Sequence, residues 1–343
     1  MNDGYDSNST VCSVCIANYN GESFIEDCLV SIIKQDFPHR IEVIVHDDAS
    51  TDNSVKIIRS RFPQVKLIES KVNVGFCVSN NRMVNSAKGE YILLLNNDAT
   101  LEKNALSTLY GKSREFATDG IFGLAQYHSG TGEFLDQGFI FDPFLNPVPN
   151  RKHSRVNVGM IMGACLWLPR KLWHSIGGFP DWFVSIAEDA YLCCRARLMG
   201  YPVIALPDSG FHHWVGQSLG GGKIINQSLQ TTYRRRALSE RNKSYVMILC
   251  YPPPLAFVFI PLHILLLMAE GLLLSIIKKD RSFWQKIYGP CISDLWYNRG
   301  RLWRLRRNIQ KTRAISAAAF FSFHIHAPYK LRMLLKYGVP TVK

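Results

Sequence analysis

Short apolar runs alternate with helix-length segments through the first hundred residues of the chain. Residues 11–17, 41–45, 65–68 and 91–95 read as strands, the last of them (Tyr91-Ile92-Leu93-Leu94-Leu95) without one polar interruption. A run of that kind is the mark of a strand buried on both faces. Between the strands, 22–35 places Phe24, Ile25, Leu29, Ile32 and Ile33 at helical spacing. Segments 53–61 and 77–88 read as two further helices, with Gly89 as the C-cap of the second. Alternation at these lengths predicts parallel βαβ units. Polar residues gather where the strands stop: Asn18 and Asn20, Asp47 and Asp48, then Asn96, Asn97 and Asp98. The pattern therefore predicts one polar rim at the carboxyl ends of a sheet, the place where open α/β sheets hold ligands.

Beyond residue 101 the pattern loosens. A helix to about residue 116 and a Pro-rich loop over 142–150 precede an apolar stretch, 159–168, which reads as a strand returning to the sheet. A short helix starts after Pro169 and breaks at Gly177-Gly178. Residues 187–199 read as a helix closing on Gly200, with Glu188 and Asp189 in its first turn. A short strand over 203–206 leads to Phe211-His212-His213-Trp214 and to a Gly220-Gly221-Gly222 loop with the composition of a mobile flap.

Composition narrows the classes. At 343 residues the chain is long enough for one large domain with an extension, or for two domains. A formal net charge of +13 calls for an anionic partner: nucleic acid, a membrane surface or a phosphorylated substrate. Residues 1–10 form a polar, acidic tail without the basic and apolar regions of a signal peptide. The nine cysteines sit mostly in apolar runs and read as reduced core thiols. Cys12 and Cys15 have CxxC spacing but lie on a strand, where residues three apart face opposite ways, which argues against a redox or metal pair. No GxGxxG follows the first strand, so a dinucleotide-binding unit is not indicated.

Several residue types at the rim could carry chemistry. Asp98, at the end of the most apolar strand, can hold a divalent cation, and the cation a diphosphate; an Asp capping the next helix would read the same way. Glu188 and Asp189 suit acid–base work, and acids in a first helical turn are also favoured by the helix dipole. His212 and His213 after a strand can be metal ligands or packing residues.

The order of these motifs resembles glycosyltransferase family 2, with its GT-A fold, and in particular the rhamnosyltransferase-like branch that builds bacterial surface polysaccharides. The resemblance rests on Asn18-Tyr19-Asn20-Gly21, Asp47-Asp48-Ala49-Ser50-Thr51-Asp52, Asn73-Val74-Gly75-Phe76 and Leu95-Asn96-Asn97-Asp98. It continues through Gly177-Gly178-Phe179, Glu188-Asp189 and His213-Trp214-Val215-Gly216-Gln217-Ser218. It implies an α/β fold with a mixed, Rossmann-like sheet flanked by helices. It also implies that Asn18 and Asp47 line the base and ribose pocket of a nucleotide sugar, with Tyr19, Asn20, Asp48, Asn73, Gly75, Asn96 and Asn97 on the same donor side. Asp98 would be the metal-binding acid of a DXD-like motif, with His213 completing the Mg²⁺ or Mn²⁺ site. Asp189 would be the catalytic base, supported by Glu188. Two positions depart from the family pattern: Asn96 stands where the first DXD acid is usual, and Tyr191 where another Asp is common.

The residue types fit that chemistry. Inverting transfer needs one base for the acceptor hydroxyl and positive charge on the departing nucleoside diphosphate; a retaining double displacement would need a second carboxylate beside the first.

The last third reads as a helical, membrane-associating region. Basic clusters Arg234-Arg235-Arg236 and Arg241-Asn242-Lys243 precede a 23-residue run, 255–277, that is apolar apart from His263 and Glu270. That length suffices to span a bilayer, but Pro261, Glu270 and basic flanks on both sides leave a span, a hairpin and a soluble core helix all open. Residues 283–313 interleave Trp284, Trp296 and Trp303 with Arg and Lys at amphipathic spacing, the composition of an interfacial helix. The expected organisation is thus a tail (1–10), a glycosyltransferase domain (11–243) and a membrane-associating region (244–343). The expected location is the cytoplasmic face of the plasma membrane. Expected partners are a nucleotide-sugar donor such as dTDP-rhamnose, a polyprenyl-diphosphate-linked saccharide acceptor and an anionic membrane surface, with no nucleic acid. A sugar nucleotidyltransferase is the nearest rival, but Asn18–Glu22 lacks that class's cationic Gly-rich loop. A non-catalytic scaffold of the same fold is the other alternative, which Asn96 makes conceivable.

Overall fold

A computed structural model describes residues 9–215, 223–225, 228–339 and 341–342. Two compact units divide the chain. The first holds most of residues up to Trp214; the second holds 140–148, 197–200 and 215 onward. The expected boundary at 243–244 falls inside a continuous helix, Tyr233–Cys250.

The first unit is built on a mixed sheet. Its chain order runs β1 (Cys12–Asn18), α1 (Ile25–Ile33), β2 (Ile41–Asp47), α2 (Ser54–Arg61), β3 (Lys66–Glu69), α3 (Phe76–Ser86) and β4 (Tyr91–Asn96). There follow β5 (Ala99–Leu101), α4 (Ala105–Glu115), β6 (Ile121–His128) and β7 (Phe134–Asp136); β8 (Phe139–Phe141), paired with β9 (Pro147–Pro149), falls almost wholly outside this unit. The unit closes with β10 (Cys165–Pro169), α5 (Arg170–Ile176), α6 (Glu188–Leu198) and β11 (Val203–His213). The strand order is β3-β2-β1-β4-β10-β6-β11-β5, with β7 beside β6. The four strands expected from the apolar runs lie side by side and parallel. Their register sets Asn18 opposite Asp47, and Ala17 opposite Asn96. The three polar clusters therefore do share one edge.

Beyond β4 the sheet ceases to be parallel. β10 runs antiparallel to both β4 and β6, and β5 antiparallel to β11. The apolar stretch over 159–168 supplies only the short strand β10, because its first half turns through Gly159 to Ala164 and bonds to Phe139 instead. The expected strand over 203–206 is the start of a longer one. β11 continues past Pro207 and Asp208 by a register shift between Leu206 and Gly210, then runs to His213. His212 and His213 thus lie on a paired strand, not in a loop after one. Gly220-Gly221-Gly222 and the residues 216–218 of the last motif lie outside the described residues.

All nine cysteines are buried and none forms a disulfide, as expected of core thiols. Burial pushes the Cys12 and Cys15 thiols well up. Gly177 ends α5 in the left-handed conformation, φ 92°, which a side chain would resist. Gly89 has a different task from the cap expected of it. α3 ends three residues earlier, and a Cβ on Gly89 would lie 2.5 Å from the backbone nitrogen of Ser13. The glycine lets the entry to β4 pass against β1.

The second unit is helical: α7 (Tyr233–Cys250), α8 (Leu255–Ile277), α9 (Gly289–Tyr297), α10 (Arg299–Lys311), α11 (Ala317–Phe321) and α12 (Tyr329–Tyr337). α8 covers the whole apolar run. Its two ionisable residues face protein: His263 is buried with Nε2 2.8 Å from Ser244 Oγ, and Glu270 accepts from Arg236 at 2.7 Å and pairs with Lys330. Lys330 and Lys243 both pair with the buried Glu240, at 2.6 and 2.8 Å. Burial opposes ionisation of Glu240, yet Lys243, Lys330 and Arg236 hold its carboxyl well below the usual range. The other face of α8 exposes Phe257, Leu265, Leu273 and Ile276 among others.

Gly89→Ala is expected to destabilise the first unit by about 1–3 kcal/mol, since the new methyl meets backbone that cannot move aside. Urea denaturation followed by tryptophan fluorescence reads this; an unchanged midpoint would show that the β4 entry can shift.

Candidate functional site

The rim begins with hydrogen bonds that fix its own edges. Asn18 is fully buried, and its Nδ2 donates to Asp47 Oδ1 at 2.8 Å and to Ser54 Oγ at 3.0 Å. Asp47 also accepts from the Ser50 amide at 3.0 Å and its hydroxyl at 2.6 Å. Asn97 Nδ2 donates to Asn18 Oδ1 at 2.9 Å, tying β4 to β1. Gly21 passes so close to this pair that a Cβ would lie 2.2 Å from Asn18 Oδ1. Asp48 reaches the next loop: Oδ1 accepts from the Val74 amide at 2.6 Å and Oδ2 from Gly75 at 2.8 Å. Gly75, φ 89°, leads into α3. Asn18, Asp47 and Asp48 thus brace the edge, while Tyr19, Asn20 and Asn73 stand exposed along it.

Asp48's hold on the 73–75 loop continues to the acidic helix start. The Cys77 amide donates to the carbonyl of Val184 at 3.1 Å, and a Cβ on Gly75 would lie 3.0 Å from Val184. Val184, Ile186 and Ala187 all have positive φ, 67°, 71° and 67°. Two of them are β-branched, for which this conformation is strained, and such strain persists where surrounding structure enforces it. The strained turn delivers Glu188 and Asp189 at the N-terminus of α6. Burial, and after it Glu188, Asp181 and Asp189, push the Cys77 thiol up, so the acidic turn lies against the start of α3. Asp189 is half-buried and its Oδ2 accepts from the Gly163 amide at 3.5 Å. The next residue, Ala164, accepts the backbone amide of Asn96 at 3.1 Å. Residues 163–164 therefore join the acid on α6 to the end of β4.

The same strand end carries the candidate metal pair. His213 Nε2 lies 3.0 Å from Asp98 Oδ1, both side chains being less than a tenth exposed. Asp98 Oδ1 has no hydrogen-bond partner despite its burial. A buried carboxylate oxygen set against an imidazole nitrogen suits a divalent cation of the Mn²⁺ or Mg²⁺ kind. Among the described residues no third His, Cys, Asp or Glu joins them, so a cation here would take its remaining ligands from phosphate oxygens and water. Asn96 Nδ2 lies 3.4 Å from His213 Nε2, leaving this position an amide neighbour of the pair and not a second acid.

Gln126 was not legible as a site residue. It is buried on β6 with Nε2 3.1 Å from His213 Nδ1, and its Oε1 has no partner. Turning the amide over places Oε1 on Nδ1, which then keeps the ring proton and leaves the Nε2 lone pair beside Asp98. The signal for it was an amide inside the apolar strand Ile121–His128. His212 faces away: it packs on Tyr127 at 5.5 Å between ring centroids. With Trp214, Asp27, Lys34 and Lys103 it lines an open cleft of about 700 Å³.

Comparison with known proteins bears on the family and the fold. Residues 13–175 match the family model described as Glycosyl transferase family 2. The poly(ribitol-phosphate) beta-glucosyltransferase of Bacillus spizizenii is 35% identical over 208 residues, 59% of this chain and 32% of that one. The chain thus spans about a third of that relative's length. The S. aureus TarS 1-349 structure in complex with UDP-GlcNAc superposes with a TM-score of 0.55 at 18% identity, covering 88% of this chain and 91% of that one. GalNAc-T7 with UDP, GalNAc and Mn²⁺ gives 0.59 at 14%, covering 87% and 58%. The fold is therefore the GT-A-like mixed sheet flanked by helices.

Gln126→Leu is expected to weaken Mn²⁺ binding about 10- to 100-fold, the usual cost of removing the partner that orients a ligating histidine. An EPR titration of free Mn²⁺ with UDP present reads this directly; unchanged affinity in folded protein would reduce Gln126 to packing.

Proposed function

We propose that this chain, matched to family 2 glycosyltransferases over residues 13–175, is an inverting glycosyltransferase that moves a sugar from a nucleoside-diphosphate donor to an acceptor hydroxyl. The observation that carries the reading is the linkage of Asp189 to the β4 end through residues 163–164, with Asp98 and His213 at that same strand end. A proton acceptor and a cation site are then held in one framework, the two functions that the transfer requires. Asp189 takes the proton of the acceptor hydroxyl as that oxygen attacks the anomeric carbon. The glycosidic bond to the diphosphate breaks, and the nucleoside diphosphate leaves. Glu188, buried at the preceding position in the chain, is the supporting acid in this reading. Asp98 and His213 would hold a divalent cation, which would supply positive charge against the departing diphosphate.

The donor is a nucleotide sugar. Rhamnose from dTDP-rhamnose is the finer proposal drawn from motif order; the similar structure in complex with UDP-GlcNAc keeps a uridine-linked donor as the alternative. The acceptor is proposed to be a lipid-linked saccharide presented at an anionic membrane surface on the cytoplasmic side. Support comes from the second unit: α8 has 23 residues with an apolar exposed face, and both of its ionisable side chains are engaged by protein. A helix with one packed face and one apolar face suits insertion into the interface better than an isolated span.

Asp189→Asn is expected to lower turnover by about 10²- to 10⁴-fold while nucleotide affinity stays within about twofold of the parent. Nucleoside diphosphate release measures the first and calorimetry with UDP and dTDP the second. An equal loss in both would remove Asp189 from the base role.

A further inference from the structure

An apolar groove of about 420 Å³ lies within the second unit, between α8, α9 and α10. Phe257, Ile260 and Ile264 form one wall, and Leu295, Trp296 and Trp303 the other. Only two charged side chains enter the lining, Arg299 and Arg306. Arg306 is committed inward, donating to the Ile248 carbonyl at 2.6 Å. Arg299 is exposed, stacked 4.3 Å from the centre of the Trp296 ring, and meets no carboxylate among the described residues. Along the rest of α10, Arg304 and Arg307 likewise have no carboxylate partner among the described residues, and the helix carries no acid.

We propose that this groove seats one hydrocarbon chain of an anionic bilayer phospholipid, with the phosphate of the head group held at Arg299. Three features favour that occupant. The groove is continuous with exposed apolar surface, since Phe257, Trp296 and Trp303 both line it and stand 69%, 64% and 55% exposed. Tryptophan and arginine side by side, with an apolar body and a wet polar tip, are the residues that settle at a bilayer's head-group level. Arg299, the exposed cation at the rim, meets no acid among the described residues, and with one N–H on the Trp296 carbonyl at 2.8 Å it keeps others for a phosphate. A bare apolar helix face needs no cavity to lie in a bilayer, whereas a concave slot takes a single chain. The proposal rests on the membrane-surface reading above, but it assigns a discrete lipid site to the groove.

The test uses the full chain, purified in detergent and exposed to phosphatidylcholine vesicles with or without phosphatidylglycerol. Bound lipid is then read by native mass spectrometry, and vesicle binding by flotation. The parent is expected to float on phosphatidylglycerol-containing vesicles and to retain one phosphatidylglycerol. Ile292→Trp, which fills the groove, is expected to float still through the exposed face of α8 but to retain at least about tenfold less lipid. Arg299→Glu, at an exposed position where folding is not at stake, is expected to weaken retention at least about fivefold, the scale of one surface charge. Retention unchanged in both variants would overturn the groove site. Retention of phosphatidylcholine equal to phosphatidylglycerol, or preferential capture of an added farnesyl phosphate over phosphatidylglycerol, would overturn the assigned occupant. Protein that retains phosphatidylglycerol but never floats would support the groove while sinking the membrane-surface reading.

Discussion

The candidate site depends on where two adjacent carboxyl groups at the end of β2 spend their hydrogen bonds. Asp47 turns inward and takes Asn18 and Ser50; Asp48 turns to the next loop and takes the amides of Val74 and Gly75. Buried amides without acceptors are costly, so each carboxyl closes a loop that would otherwise stay open. The consequence travels. Once the 73–75 loop is pinned, the start of α3 can accept the strained turn at Val184, and that turn sets the direction in which α6 begins. The acid on α6 is positioned by contacts that start two strands away. Rigidity of this kind is what the base role proposed for Asp189 needs, since the carboxylate must stand within hydrogen-bond reach of the acceptor hydroxyl.

Much of this edge was readable in the chain because parallel buried strands write themselves as apolar runs, and their polar stops mark the rim. Asn18, Asp47 and Asn96 fall into register as the runs imply. Strand direction is not written that way. β10 is as apolar as β4, yet it runs antiparallel to it, and nothing in Cys165–Pro169 distinguishes the two senses. β11 hid for a different reason. Pro207 and Asp208 look like a strand's end, whereas the sheet absorbs them as an irregularity and resumes pairing at Gly210. That resumption is what carries His213 to Asp98. The role of Gln126 depends on a neighbour 87 positions away, so no local pattern could disclose it.

Glycines show the same division. Gly177 closes a helix in the left-handed conformation, as a Gly pair after an apolar periodic stretch suggests. Gly89 and Gly21 look like turn residues but are required by close approach, one to the β1 backbone and the other to the Asn18–Asn97 contact. Close approach is a tertiary fact, and composition cannot separate it from a turn.

The helical unit resolves an apparent conflict in its own sequence. An acid and a histidine inside a 23-residue apolar run weaken the case for a span, because a polar group in hydrocarbon without partners is expensive. Both are spaced seven apart, two turns of helix, so they fall on one face. That face also carries the buried Ala256, Leu267, Gly271 and Leu274. Glu270 is answered by Arg236 and Lys330, and His263 by Ser244. The polar groups thus belong to the packing of α8 on its own unit, and the face turned outward is left uniformly apolar. The proposed membrane-surface reading uses both faces, one held by protein through these pairs and the other apolar and turned outward.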